Sequence, residues 1–171
     1  MRLSSRFALT AVLLASATAC MDDSTSVELP PAADPATTTF APALGIDLAA
    51  MTKSSTGLYV RDDVVGDGAE VADGKAVSVQ YEGWVSSGGD SFDEGTLPFE
   101  SFPRIDADFA DSRVIPGFEE GVRGMKVGGT RTIVIPPQLA YGYQAQQDQS
   151  GRVVIPSNSV IVFRITPLGV Q

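Results

Sequence analysis

The side chains available for chemistry are carboxylates, hydroxyls and aromatic rings, because the chain contains no histidine and a single cysteine, Cys20. Without histidine there is no Ser-His-Asp or Cys-His nucleophile pair, no imidazole base and no histidine-ligated zinc. One cysteine closes no internal disulfide and forms no Cys-x-x-Cys site. Asp90 and Asp93 are a carboxylate pair of the kind glycosidases use, but no sugar-binding context accompanies them. The run Asp106-Ala-Asp-Phe-Ala-Asp111 lacks the glycine and distal glutamate of a calcium loop and reads as solvated surface, so no metal is expected. Gly66-Asp-Gly68 follows a strand pattern but precedes another strand, and neither a third glycine nor Lys-Ser/Thr completes a phosphate loop. Inward-facing rings such as Phe109 and Phe163 read, taken singly, as core.

The elements that must position these groups follow from punctuation and period. From Gly57 onward, turn signals at Gly66-Asp-Gly68 and Ala72-Asp-Gly-Lys75 separate a strand at 58–60 from a longer one at 76–85. In the longer strand Val77, Val79, Tyr81 and Gly83 face one way and Ser78, Gln80, Glu82 and Trp84 the other, which predicts a sheet with one wet face. Further strands are expected at Thr130–Ile135, ending at Pro136-Pro137, and at Ser159–Thr166. One helix is predicted between them. It begins near Pro116, carries Glu119 and Glu120 in its first turn and stops near Gly124, with Phe118, Val122 and Met125 on its apolar face. One helix among antiparallel strands implies an α+β fold, an antiparallel half-barrel wrapped around a short helix.

Outside that region the composition changes. Arg2 and Arg6, the apolar run Phe7 to Ala17 and the small residues before Cys20 read as a signal peptide over residues 1–19. The apolar run is about 11 residues, short of the roughly 20 that span a bilayer. Residues 20–56 are rich in Pro, Thr, Ala and Asp and read as a tether between that leader and a domain over 57–171. Within it Leu44, Leu48 and Met51 fall at i, i+4 and i+7, enough for about two helical turns that dock on the domain, pair with a second copy or stay frayed. With 12 Lys and Arg against 21 Asp and Glu, the net charge of −9 speaks against nucleic acid as a partner.

Five ordered motifs then become familiar. Val114-Ile-Pro-Gly-Phe-Glu-Glu-Gly-Val122 with Gly124-Met-Lys-Val-Gly-Gly129 resembles the signature of FKBP-type peptidyl-prolyl cis-trans isomerases. Val79-Gln-Tyr-Glu-Gly83, Ser91-Phe-Asp-Glu94, Leu139-Ala-Tyr-Gly142, and Ile155-Pro with Val160-Ile-Val-Phe163 are similar to other elements of that family, in the same order. The resemblance implies an apolar pocket for a prolyl ring, with Tyr81, Phe92, Phe109 and Phe163 as walls, Val114 and Ile115 at the rim and Phe118 as floor, and with Ile155 on its flank. It also implies that the Tyr141 hydroxyl and the Ile115 N–H donate to a substrate carbonyl, with the Asp93 carboxylate beside the twisting amide. No cofactor is implied. Cys20 at the end of the leader resembles the lipid-bearing cysteine of bacterial lipoproteins, which implies membrane attachment in the cell envelope or periplasm.

The pattern departs from the family in three places. Phe118 stands where the family usually has Trp, giving a smaller floor without an N–H. Additional residues at 103–108 leave Phe99, Phe102 and Phe109 as candidates for one wall, of which Phe109 lies five residues before Val114. The loop Tyr143–Gly151 is polar and flanks the pocket, so it is expected to shape substrate choice. The function expected is isomerisation of X-Pro bonds in proline-containing polypeptides by a monomer, the alternative being a proline-peptide-binding module or chaperone without turnover.

Overall fold

The computed structural model of the protein describes residues 29–88, 91–97 and 114–171, with the side chains of 94–97 excepted. Contacts divide the chain into units Met1–Pro30 and Pro31–Gln171, and the fold below is that of the second.

Six strands form an antiparallel sheet in the order β1-β2-β5-β8-β3-β4. These are β1 (Thr52–Lys53), β2 (Tyr59–Val64), β3 (Val77–Val85), β4 (Asp93–Leu97), β5 (Thr130–Ile135) and β8 (Ile161–Val170). A small hairpin joins β6 (Gln146–Gln147) to β7 (Val153–Ile155), and among the described residues one α-helix, α1 (Pro116–Val122), precedes β5. The α+β half-barrel expected from the sequence is the fold observed.

The helix lies on the inner face of the sheet because its sequence permits close approach. A Cβ on Gly121 would stand 2.7 Å from Ile133 Cδ1, and one on Gly117 would collide with Ile135 Cγ2. Phe118, Val122 and the following Met125 are buried against Val77, Val79, Ile133, Ile135, Ile161, Phe163 and Ile165. Arg131 of β5 fixes the far end of the helix. Its guanidinium donates to the carbonyls of Gly121 (2.9 Å) and Arg123 (3.0 Å) and pairs with Asp62 of β2 at 2.6 Å, so carbonyls that the helix leaves open are satisfied from the sheet.

The other face of the sheet is wet over one part, where Gln80, Arg164 and Leu168 are exposed, and covered over another. Tyr59, Val134, Val160 and Val162 are buried there beneath residues 33–51, with Leu44 as the buried plug and Phe40, Ile46, Leu48, Met51 and Trp84 partly buried around it. The tether expected up to residue 56 is therefore, from residue 31 on, a strap packed on the sheet. The backbone N–H of Ala41 donates to Ser86 O at 2.9 Å, and Thr52 and Lys53 add a strand to β2. The two helical turns expected around Leu44 to Met51 are two separate 3₁₀ turns, Pro42–Leu44 and Leu48–Ala50. Gly45, at φ 62, ends the first, and the Asp47 side chain caps the second by accepting from the Ala49 N–H at 3.0 Å. Leu44, Leu48 and Met51 still point to one apolar cluster, so the spacing identified the buried side although the conformation is not a continuous helix.

Strand ends differ modestly. The strand expected at 58–60 runs through Val64, and the last one begins at Ile161 and continues to Val170, pairing with β3 as far as Val77↔Val170.

Candidate functional site

Four rings converge at the open edge between α1 and the strands β3 and β8. Phe118 from the helix and Phe163 from β8 meet edge to face with centroids 5.1 Å apart, and Tyr81 of β3 stands 5.8 Å from Phe118 and 6.1 Å from Phe163. Phe92, just before β4, completes the group edge-on to Phe163 at 5.7 Å. Edge-to-face packing is the favoured arrangement for aromatic quadrupoles and holds the rings rigidly. Phe118 and Phe163 are buried, at 3% and 4% exposure, while Tyr81 and Phe92 are only partly covered, so the nest has a deep floor and an accessible upper side.

A glycine makes this nest possible. A Cβ on Gly83 would lie 2.5 Å from Phe163 Cε1 and 2.9 Å from Phe92 Cζ, so any side chain there would occupy the space of the two rings. The same glycine aligns the edge, since its carbonyl accepts from the Phe92 N–H at 2.8 Å and it pairs with Asp93 across the ladder. Glycine inside a strand is the sequence signal for such an approach.

The polar groups stand at the rim. The Tyr81 hydroxyl donates to Asp93 Oδ2 at 3.1 Å. Burial, then the charge of Asp93 and this hydrogen bond, push the Tyr81 hydroxyl up to about 12, so it stays a donor. Tyr141 is also raised above the ordinary tyrosine value, chiefly by burial and secondly by the Asp93 charge. Among the described residues the Tyr141 hydroxyl has no hydrogen-bond partner, and neither does the N–H of Ile115, whose carbonyl starts the helix by accepting from Phe118 and Glu119. Two unpaired donors thus lie on residues packed against the same core as the rings, and one carboxylate is bonded to Tyr81.

The structure brings together Tyr81, Phe92, Asp93, Phe118 and Phe163 by direct contact, and packs Val114, Ile115 and Tyr141 against the same core. Ile155 is buried at 3% exposure on β7, beneath the flank of this cluster. Phe99, Phe102, Phe109 and Cys20 lie outside the described residues. The Tyr81–Asp93 pairing and the close approach at Gly83 are the site features that sequence reasoning missed.

The sequence profile of FKBP-type peptidyl-prolyl cis-trans isomerases matches residues 68–167. The chain belongs to that family. A relative called 39 kDa FK506-binding nuclear protein, from Drosophila melanogaster, is 38% identical over 109 residues, covering 64% of this chain and 28% of its own length. The Arabidopsis thaliana protein peptidyl-prolyl cis-trans isomerase FKBP15-3 is 34% identical over 131 residues, 75% of this chain and 85% of its own. Among solved structures, FkpA from Escherichia coli superposes with a TM-score of 0.53 at 33% identity over 71% of this chain and 52% of that one. The chain thus spans about half of FkpA and about a quarter of the Drosophila protein.

Proposed function

We propose that this chain accelerates cis-trans isomerisation of X-Pro bonds in polypeptides outside the cytoplasm. The observation that carries the reading is the aromatic nest of Tyr81, Phe92, Phe118 and Phe163 bordered by two unpaired donors, the Tyr141 hydroxyl and the Ile115 N–H. The chemistry is conformational. A planar X-Pro amide isomerises across a barrier of about 18–20 kcal/mol because twisting removes resonance, and unaided it takes roughly 10–100 s. An apolar pocket strips away the water that favours the planar, charge-separated amide. Donors at the rim that fit the twisted carbonyl better than the planar one then lower the barrier, by about tenfold in rate for each 1.4 kcal/mol of preference. Asp93, bonded to Tyr81, sits beside the nest where a carboxylate orients that hydroxyl and balances the rotating dipole.

The experiment is cis-trans exchange of an X-Pro peptide by NMR with the purified chain. Acceleration that falls several-fold in Tyr141→Phe, as expected for one hydrogen bond worth about 1 kcal/mol, and vanishes in Phe92→Ala with Asp93→Ala, supports the reading. Binding without added exchange means a proline-peptide module instead.

The extracytoplasmic setting is supported by the basic start at Arg2 and Arg6, the short apolar run Phe7 to Ala17 and Cys20 after small residues. In this reading Cys20 carries lipid and attaches the chain to the membrane. Mass spectrometry of the membrane fraction is expected to find a diacylglyceryl thioether on Cys20. A soluble, unmodified protein overturns the anchor and leaves the isomerase untouched.

A further inference from the structure

One turn joins the strap to the loop that carries Tyr141. Asn158, between β7 and β8, has φ 59 and is the one non-glycine residue with positive φ among the described residues. Asparagine tolerates that conformation better than most, and a residue held there marks a constraint. The constraint here is twofold. Its backbone N–H donates to the carbonyl of Gly142, next to Tyr141, at 2.8 Å. Its side chain grips the strap: Oδ1 accepts from the Ala33 N–H at 2.9 Å and Nδ2 donates to Pro31 O at 3.2 Å. The Tyr141 loop also closes on itself, by Gly142 N–H to Pro137 O at 2.9 Å and Gln144 N–H to Tyr141 O at 3.1 Å, and leads into the pairing of Gln146 with Ile155 of β7.

We propose that Asn158 is a positioning residue that couples docking of the strap end, Pro31 to Ala33, to the placement of the Tyr141 hydroxyl at the pocket rim. The inference rests on the isomerase reading above. The physical reason lies in the shared residue. While the strap is docked, the carboxamide has two fixed partners and the turn is held in the left-handed region, which aims the Asn158 N–H at Gly142. When the strap end lifts, both partners leave together, the turn relaxes, and the Tyr141 loop loses the hydrogen bond that Asn158 gives to Gly142. The strap is thereby more than a cover for the sheet: its end sets the order of a loop at the pocket.

Two variants approach the coupling from opposite sides. Asn158→Gly keeps the positive φ and the N–H but removes the carboxamide, while Ala33→Pro removes the donor on the strap and touches no pocket residue. Each is expected to lower kcat for an X-Pro peptide by about three- to tenfold with KM little changed, the size of one misplaced hydrogen bond. In a Tyr141→Phe background neither is expected to cost anything further, because the hydroxyl they position is gone. The coupling is overturned if both variants keep wild-type turnover, or if they lose as much in the Tyr141→Phe background as in the wild type. A second readout needs no turnover: Ala33→Pro should shift the Tyr141 ring resonances and weaken hydrogen-exchange protection of the Asn158 N–H. Unchanged signals sink the coupling. Changed signals in a wild-type protein that does not accelerate exchange leave the coupling intact and overturn the isomerase reading alone.

Discussion

At the scale of single residues, the pairing of Tyr81 with Asp93 makes a testable electrostatic claim. The protonated phenol is favoured by burial first and by the neighbouring carboxylate second, which lifts it from 10.0 to about 12. A group raised in this way adds stability that is complete below pH 10 and is lost as the pH climbs from about 10 through 12. Of the chain's four tyrosines, Tyr81 is therefore expected to ionise late in an alkaline titration followed by tyrosinate absorbance. Asp93→Asn should bring it down without returning it fully to 10.0, because burial remains; no change at all would mean that Asp93 does not act on Tyr81. A second prediction concerns the room these rings occupy. Gly83→Ala places a methyl 2.5 Å from Phe163 Cε1 and 2.9 Å from Phe92 Cζ, overpacking that costs about 1–3 kcal/mol in urea unfolding and lowers turnover by displacing both rings. An alanine accepted with neither effect would show that the rings yield freely. Of the two, only Gly83 left a sequence signal, a glycine inside a strand. The Tyr81–Asp93 bond depends on the β3–β4 register, in which Tyr81 pairs with Gly95 and Gly83 with Asp93, so the two side chains meet diagonally.

Among the elements, α1 and β5 were readable and the strap was not, for a physical reason. The helix declares itself locally through Pro116 and the spacing of Phe118, Val122 and Met125, and β5 through a β-branched run stopped by two prolines. Residues 31–56 carry few large apolar side chains between their prolines, and the one local period, Leu44, Leu48 and Met51, marks a buried side without saying what covers it. The signal sits in the surface they cover. Ile133-Val-Ile135 and Val160-Ile-Val-Phe163 are apolar at consecutive positions, which a strand needs only when both of its faces are covered. Leu44 is the anchor of that cover at 7% exposure. Leu44→Ala is expected to lower unfolding free energy by about 2 kcal/mol, near the low end for a buried leucine because a short strap relaxes around the gap. Leu48→Ala, only partly buried, should cost clearly less. Urea midpoints decide it, and equal small losses would mean that the strap is not a cooperative part of the fold. By the same logic a fragment beginning at residue 54 should be less stable than one beginning at residue 31, since it exposes the Tyr59, Val134 and Val162 face.

For the whole molecule, the sequence pattern alone carried the α+β class, while the pocket became visible only through ordered resemblance. Its parts, Tyr81, Phe92, Phe118, Tyr141 and Phe163, come from five separate stretches, and no period links residues that meet only after the sheet closes on the helix. One global property, however, acts on the pocket from any distance. The chain carries a net charge of −9, and Asp93 adds a carboxylate at the pocket rim. A polypeptide approaching that rim feels an attractive field if it is basic and a repulsive one if it is acidic, over a reach of about 30 Å at 10 mM salt but only about 8 Å at 150 mM. We therefore expect kcat/KM for an X-Pro peptide flanked by lysines to fall as salt rises, that for one flanked by glutamates to rise, and that for a neutral peptide to stay nearly flat. The effect belongs in association, so kcat should be the same at both salt concentrations. Identical salt responses for basic and acidic peptides would mean that the molecular field does not reach the rim, and that selectivity lies in the aromatic nest and its two donors.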